Sequence, residues 1–187
     1  MCIRDRFRQI SDQLLRVKRD AAVDQSLSGV SYAQTEVGSI AAGDSASVRS
    51  TLSRTVQGLK SRGGAAGDFD VVMVYRAGDQ VSPASSRPDS FSYEVLPRDL
   101  RGEVADGSQA YRYATVPDGD GHGVPTLLVG APVPSDGGTD RVELYYAFPL
   151  DQEQESLQLI RSTVAISGIA LTPVSYTHLT LPTNREV

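Results

Sequence analysis

Three stretches rich in β-forming residues follow one another in the second half of the chain, at residues 110–116, 125–133 and 142–150. The connections between them, residues 118–123 and 135–140, contain Asp, Gly and Ser, which favour tight turns. Connections this short join strands that run in opposite directions, because parallel strands need a much longer crossover. The pattern therefore predicts an antiparallel meander with apolar faces that other elements must cover.

Two further strands are predicted upstream of this meander. Residues 69–75 are rich in β-formers and predict a buried strand, and residues 91–96 predict a second, shorter one. Residues 82–90 contain two prolines and predict a loop. Pro97 is suited to a first helical turn, so we expect a short helix that ends at Gly107.

The first half of the chain predicts helices. Residues 7–38 predict a long helix, although Asp24 interrupts the regular spacing of its apolar residues. That apolar stripe contains Ile10, Leu14, Val17 and Ala21, and continues less regularly through Leu27, Val30 and Val37. The helix either packs on its own domain or forms a stalk that pairs with a second copy.

A second helix is predicted to begin with Asp44 or Ser45 as its cap and to end at Gly63. Its apolar side contains Val48, Leu52, Val56 and Leu59. One antiparallel sheet combined with helices at its ends is an α+β domain. We therefore expect five strands, a long N-terminal helix and a C-terminal helix.

The C-terminal helix is predicted to open near Asp151 and to become apolar on all sides from residue 164 to residue 171. A membrane span needs about 20 apolar residues, and this run is interrupted after the first few. We interpret it as the start of a transmembrane span with Arg161 near the interface. A buried terminal helix is the alternative.

The two ends of the chain differ from the rest. A single nucleotide string encodes residues 1–6 on one strand and residues 174–178 on the other, and its usual continuation encodes residues 179–183. This string matches a transposase-adapter end used in sequencing libraries, so we exclude residues 1–6 and 174–187 from the fold prediction. The natural segment then has no cysteine, and His122 is its one histidine.

Composition excludes some classes of function. The chain is 40% hydrophobic with a formal net charge of -5, so a packed core is expected. A mildly acidic chain without a basic stripe argues against nucleic acid as a partner. No G-x-S-x-G elbow or phosphate-binding Lys-Ser/Thr loop is present, so we predict no catalytic and no cofactor-binding residues.

Residues 118–123 are the string most suggestive of a metal site. Asp118, Asp120 and His122 are weak candidates for cation ligands, and the Asp-x-Asp spacing is similar to the start of a calcium loop. Val129 stands at the twelfth position, where such loops have Glu. A flexible hairpin turn explains the same glycines and aspartates, and we therefore predict no metal site.

Aromatic residues occur along the predicted strands. Tyr145 and Tyr146 must point to opposite faces of the sheet, so one of them is expected to face a small-molecule pocket if one exists. Tyr113 is the third candidate of this kind. The alternative is that these rings are ordinary core and surface residues.

Four segments together suggest a family. The chain resembles the MtrB-type sensor histidine kinases, and the order of its elements is similar to that of PAS-like (PDC or Cache) sensor domains. The segments are residues 9–19 (QISDQLLRVKR), 113–117 (YATVP), 125–133 (PTLLVGAPV) and 143–153 (ELYYAFPLDQE). The resemblance extends over residues 7–173, and none of the segments is a catalytic motif.

The resemblance implies a parent protein with two membrane spans, this domain on the extracytoplasmic side, and a cytoplasmic kinase part that uses ATP and Mg²⁺. It also implies a homodimer, a response regulator as the phosphorylation target and an envelope lipoprotein as a possible partner. The chain itself has no phosphoacceptor or nucleotide-binding motif, so we expect it to be a fragment without kinase activity. A membrane-tethered structural domain of the envelope is the alternative.

The predicted organisation thus has five parts. Residues 7–62 form a helical stalk, residues 68–151 a PAS-like sheet domain, and residues 152–173 a helix with the start of a span. Residues 1–6 and 174–187 are the adapter translations.

Overall fold

The computed structural model describes residues 3–38, 45–64, 66–134 and 141–150. The helices are α1 (Ile3–Val37), α2 (Ser45–Ser61) and α3 (Arg98–Ala105), and a 3-10 turn covers Tyr93–Val95. The strands are β1 (Asp70–Ala77), β2 (Gln80–Ser85), β3 (Ala110–Pro117), β4 (Gly123–Val133) and β5 (Arg141–Pro149). The predicted C-terminal helix and start of a span, residues 152–173, lie outside the described residues.

Among the described residues, no helix has the length and apolar character needed to cross a membrane.

The five strands form one sheet in the order β2-β1-β5-β4-β3, and every neighbouring pair is antiparallel. This confirms the α+β class and the meander of the last three strands. β5 is the central strand, and its Tyr145 pairs with Val72 of β1 on one side and with Gly130 of β4 on the other. The residues of β5 are therefore hydrogen-bonded on both edges and buried on both faces.

The position of the second strand was predicted wrongly. Residues 82–90 were expected to be a loop, but β2 occupies Gln80–Ser85 and pairs with β1. Pro83 is compatible with this because β2 is an edge strand, where one side of the backbone needs no ladder partner. Residues 91–96, expected to be a strand, form one isolated bridge at Phe91 and then the 3-10 turn.

The two faces of the sheet have separate cores. One face packs against α1 and α2, and the other is covered by the segment that leads from β2 through α3 to β3. Because side chains alternate along β5, Tyr146 lies in the first core and Tyr145 in the second, as predicted. The four apolar residues of α2 are all buried in the first core, and Gly63 with its positive φ of 63° follows the end of α2.

α1 packs on the sheet through a face that the sequence analysis identified only in part, at Val37. Its buried stripe consists of small residues and one valine, namely Ala22, Ser26, Gly29, Ala33 and Val37. Leu14, Val17 and Leu27 of the predicted stripe are instead 36%, 61% and 50% exposed. At 100° per residue, Leu14, Val17 and Ala21 lie roughly 120° around the helix from the buried stripe.

Small residues are required on that face because α1 approaches the sheet closely. A Cβ atom at Gly29 would lie 1.9 Å from the hydroxyl oxygen of Tyr146. Helix propensity favours alanine over glycine at an interior position by about 1 kcal/mol. The close contact with the sheet therefore explains a glycine at position 29, despite its low helix propensity.

We predict opposite effects of alanine at two helical glycines. Gly29→Ala should lower the free energy of unfolding by about 1–3 kcal/mol, because Tyr146 or α1 must move. Gly102→Ala in α3, where nothing lies within 4 Å of the new Cβ, should be neutral or stabilising by up to about 1 kcal/mol. Urea unfolding of both variants tests this, and equal effects would contradict the close packing of α1.

Candidate functional site

The face of the sheet opposite α1 and α2 is covered by a short irregular segment rather than by long helices. Phe91, Leu96, Leu100 and Val104 point from this segment into the second core, and each is at most 2% exposed. Pro97 precedes α3 and fixes where that helix begins. The segment thus forms a cover that is anchored at a few apolar positions.

A buried carboxylate on β5 organises the polar contacts beneath this cover. Glu143 is 1% exposed and accepts hydrogen bonds from Arg76 Nε at 3.2 Å and from the Tyr145 hydroxyl at 2.8 Å. Arg76 also donates to the Tyr93 hydroxyl at 2.8 Å, and Arg101 lies 4.8 Å above the Tyr93 ring. This network, Glu143–Arg76–Tyr145–Tyr93, connects β1 and β5 to the cover.

The network is electrostatically complementary. Burial raises the pKa of Tyr145, and the neighbouring Glu143 carboxylate raises it further, so the hydroxyl remains a donor. Burial disfavours the charge of Arg76, but the hydrogen bond and charge of Glu143 outweigh that effect and raise its pKa. Both oxygens of the carboxylate are used, which satisfies a charge that would otherwise be costly to bury.

Among the described residues, two cavities open on this face. One of about 400 Å³ is lined by the end of α3, by Pro132 and Val133 of β4, and by residues 141–143 of β5. That volume is in the range of small-molecule sites. Arg141 crosses its edge and donates to the carbonyl oxygen of Ala105 at 2.7 Å, which ties β5 to the end of α3.

The second cavity, of about 220 Å³, lies at the start of β1. Asp70 lines it, is buried, and pairs with Arg87 at 2.9 Å and Lys60 at 3.4 Å. A hydrogen bond from Lys60 holds the pKa of the neighbouring Asp68 below its usual value. Asp68 and Asp70 are thus paired with cations of α2 and of the cover.

The Asp118–Gly123 turn also borders the smaller cavity. Asp118 Oδ1 accepts the backbone N–H groups of Asp120 at 2.9 Å and His122 at 2.8 Å, and these bonds lower the pKa of Asp118. Its other oxygen lies 3.7 Å from His122 Nδ1. One ligand atom from each of the three residues lies within 4.8 Å of the others. The hydrogen bonds explain the turn, and the absence of a metal site at these residues stays a prediction.

The three candidate tyrosines do not share a pocket. Tyr145 is fully buried under the cover, and Tyr146 is 1% exposed on the opposite face beneath α1. Tyr113 is 50% exposed on β3, with its ring centroid 6.2 Å from that of Tyr111. A ligand-facing role for these residues remains a prediction.

The sequence analysis missed the buried charges. Glu143 stands alone among apolar residues in a strand that is buried on both faces, and this signal was available. Arg76, its partner, is 67 residues away in the chain, and nothing local indicates the pairing. Asp70 likewise begins a buried strand, while its partners come from two other elements.

Comparison with known proteins connects this domain to one class, the sensor histidine kinases. No family model matches the chain. It is 35% identical over 170 residues to the sensor histidine kinase MtrB of Mycolicibacterium paratuberculosis, and 33% to that of Mycobacterium tuberculosis. These alignments cover 87% of this chain and 28% of each relative, so the chain spans little more than a quarter of the curated relatives' length.

A solved structure with some likeness is the ligand-binding domain of the Pseudomonas aeruginosa amino acid chemoreceptor PctC in complex with GABA. The match has a TM-score of 0.42 and 20% sequence identity, and it covers 85% of this chain and 68% of that chain.

We predict that the Glu143 network contributes to stability through its pairing. Arg76→Met should lower the free energy of unfolding by about 2–4 kcal/mol, because it leaves a buried carboxylate without its cation. Arg112→Met is the matched control, since that arginine pairs with Asp99 and Glu103 at the surface and should matter little. Equal losses in urea unfolding would contradict a special role for Glu143.

Stability should fall in acid. A hydrogen bond with Arg112 lowers the pKa of Asp99, and one with Ser92 lowers the pKa of Glu94. Hydrogen bonds also lower the pKa values of Asp68 and Asp118. The contribution of these carboxylates to the free energy of unfolding is complete above the pKa of about 4 that they have in the unfolded chain. It is lost as the pH falls through their lower pKa values in the folded chain. The urea midpoint should therefore decrease below about pH 4. A midpoint that is constant or rises between pH 5 and pH 3 would contradict these contacts.

Proposed function

We propose that the chain is the extracytoplasmic signal-sensing domain of a membrane-bound, MtrB-type sensor histidine kinase in a two-component system. The observation that supports this most is the 33–35% identity over 87% of the chain to MtrB kinases. The chain contains no nucleotide-binding or phosphoacceptor motif, so catalysis is assigned to other parts of the parent. In that parent the kinase region binds ATP and Mg²⁺ and phosphorylates a response regulator.

The placement of the two ends of the domain supports a route for the signal. Lys18 of α1 donates a hydrogen bond at 3.0 Å to the carbonyl oxygen of Pro149, the last residue of β5. α1 therefore passes beside the end of β5. We propose that α1 and the segment that follows β5 both lead into one membrane, so that a change in the sheet shifts one relative to the other.

The exposed side of α1 supports a dimer of the parent. Leu14 and Val17 are apolar, exposed and one turn apart, which is the spacing of a helix-pairing seam. We propose that this seam pairs with its copy in a second chain. An envelope lipoprotein is a further proposed partner, taken from the resemblance alone.

Single cysteines test the pairing. In the full-length parent, Leu14→Cys or Val17→Cys should give a symmetric disulfide under mild oxidation, because paired seams bring equivalent residues together. Asp12→Cys is the control, since this exposed residue lies roughly 160° around the helix from Leu14. Cross-linking of all three variants to the same extent, or of none, would contradict the seam.

The DNA that flanks this gene segment tests the proposed function. We expect the apolar run that begins at residue 164 to continue past Thr172 as a complete span, followed by a HAMP-like segment and kinase motifs. A stop codon or a wall-anchoring signal would instead indicate a tethered structural domain of the envelope.

If the recovered parent is a kinase, its autophosphorylation should change in variants such as Arg76→Met that loosen the cover.

A further inference from the structure

The two edges of the sheet differ in how well they are protected against an added strand. At the β2 edge, the backbone N–H of Ser86 donates to the carbonyl oxygen of Val71 at 2.9 Å, which fixes the residues that face β1. Because hydrogen-bonded positions alternate along an antiparallel ladder, Pro83 faces outward, where its backbone has no N–H to donate. A short edge strand with an outward proline is a protected edge.

The β3 edge lacks this protection. The backbone N–H of Asp118 donates to the carbonyl oxygen of His122 at 2.8 Å. The N–H of Leu150 donates at 2.9 Å to Pro125, which is the partner of Thr115 in β4. Both bonds fit one register, in which every second residue of β3 directs its backbone outward. The outward residues are Tyr111, Tyr113 and Thr115.

Most of these outward backbone groups are available to a partner. The carbonyl oxygen of Tyr111 accepts a hydrogen bond from Arg112 Nη1 at 2.8 Å. In the part of the chain that the structure describes, no group bonds to the backbone of Tyr113 or Thr115 on the outward side. The strand also has no proline before its last residue, Pro117. A row of unpaired groups of this kind is a template for one more strand.

The side chains beside the β3 edge are aromatic on one face of the sheet. Tyr111 and Tyr113 lie on the face that carries α1, because their partners Val129 and Leu127 belong to the core beneath that helix. The two rings are 40% and 50% exposed. β-branched side chains pair favourably with aromatic ones across neighbouring strands, so such residues in an added strand would cover both rings.

The other face beside this edge has an excess of negative charge. Arg112 pairs with both Asp99 and Glu103 of α3. Two carboxylates therefore share one guanidinium, and their side chains are 59% and 48% exposed. Basic residues of an added strand that face α3 would complement this charge.

We propose that the β3 edge binds an extended segment of another protein, antiparallel to β3, with β-branched residues facing the tyrosines and basic residues facing α3. Two copies of this chain related by a two-fold axis would also pair their β3 strands antiparallel, and the copies would then run in opposite directions. Receptors in one membrane run in the same direction. The choice of another protein as the occupant therefore rests on the proposed function, whereas the use of this edge does not.

Hydrogen exchange of the full chain with a synthetic peptide tests the site. The probe is the acetylated and amidated peptide Thr-Val-Lys-Val-Lys-Val-Thr, titrated to about 2 mM because a short strand binds weakly. We expect the amides of Tyr111, Tyr113 and Thr115 to exchange about tenfold or more slowly with the peptide bound. The amides of Val81 and Ser85 at the β2 edge should not change.

Two altered peptides give matched controls. The same peptide with N-methylated valines lacks the N–H groups that face β3 and should give no protection. A peptide with Glu in place of Lys should bind about threefold or more weakly, because it faces Asp99 and Glu103. Equal protection by the N-methylated peptide, or no protection by the probe, would overturn the proposal. Equal binding of the Lys and Glu peptides would overturn its charge preference.

Variants of the chain assign the binding to one edge. Tyr113→Pro removes an outward N–H from β3, as Pro83 does from β2, and should abolish the protection. Val81→Pro makes the same change at the β2 edge and should bind as the unmodified chain does. Loss of binding in both variants would contradict the assignment to β3, and the peptide controls decide the matter if Tyr113→Pro does not fold.

A second copy as the occupant gives a different result. Protection of the three β3 amides without peptide, growing with the protein concentration, would assign the edge to a second copy and overturn the choice of another protein. Because peptide binding is measured on this chain alone, failure of the proposed kinase parentage would leave the use of the edge unaffected.

Discussion

The close approach of α1 to the sheet at Gly29 and Tyr146 determines much of the rest of the structure. It requires small residues along the inner side of the helix, and so the larger Leu14 and Val17 point away from the sheet. It also places the Tyr146 hydroxyl directly beneath the helix at Gly29. A bulkier residue at this contact would separate α1 from the strand that it covers.

The central strand connects the two faces of the domain. Tyr145 and Glu143 hold the cover on one side, while Tyr146 meets α1 on the other. Neighbouring residues of one strand therefore contact both the cover and α1. β5 ends at Pro149, whose carbonyl oxygen is bound by Lys18 of α1. β5 thus contacts the cover, α1 and, at its last residue, Lys18.

Local chemistry explains what the sequence analysis predicted correctly. Turn residues and strand alternation identify the meander and the opposite directions of Tyr145 and Tyr146, because both depend on neighbours in the chain. The edge strand β2 was missed because Pro83 normally ends strands, and only the sheet as a whole reveals that it lies at an edge. The inner face of α1 was mostly missed because hydrophobicity favours Leu14 and Val17, whereas close packing favours glycine and alanine. Likewise, the pairing of Glu143 with Arg76 depends on a register that spans 67 residues.

The central claim is that α1 and the sheet form one cooperative unit joined at Gly29 and Tyr146. Native-state hydrogen exchange measures this directly, because it reports the free energy at which each segment opens. If the claim is correct, the buried-side amides of α1 between residues 18 and 37 exchange only through the opening that exposes β5. Exchange of those amides at a much lower opening free energy than β5 would show that α1 moves independently, and would contradict the account.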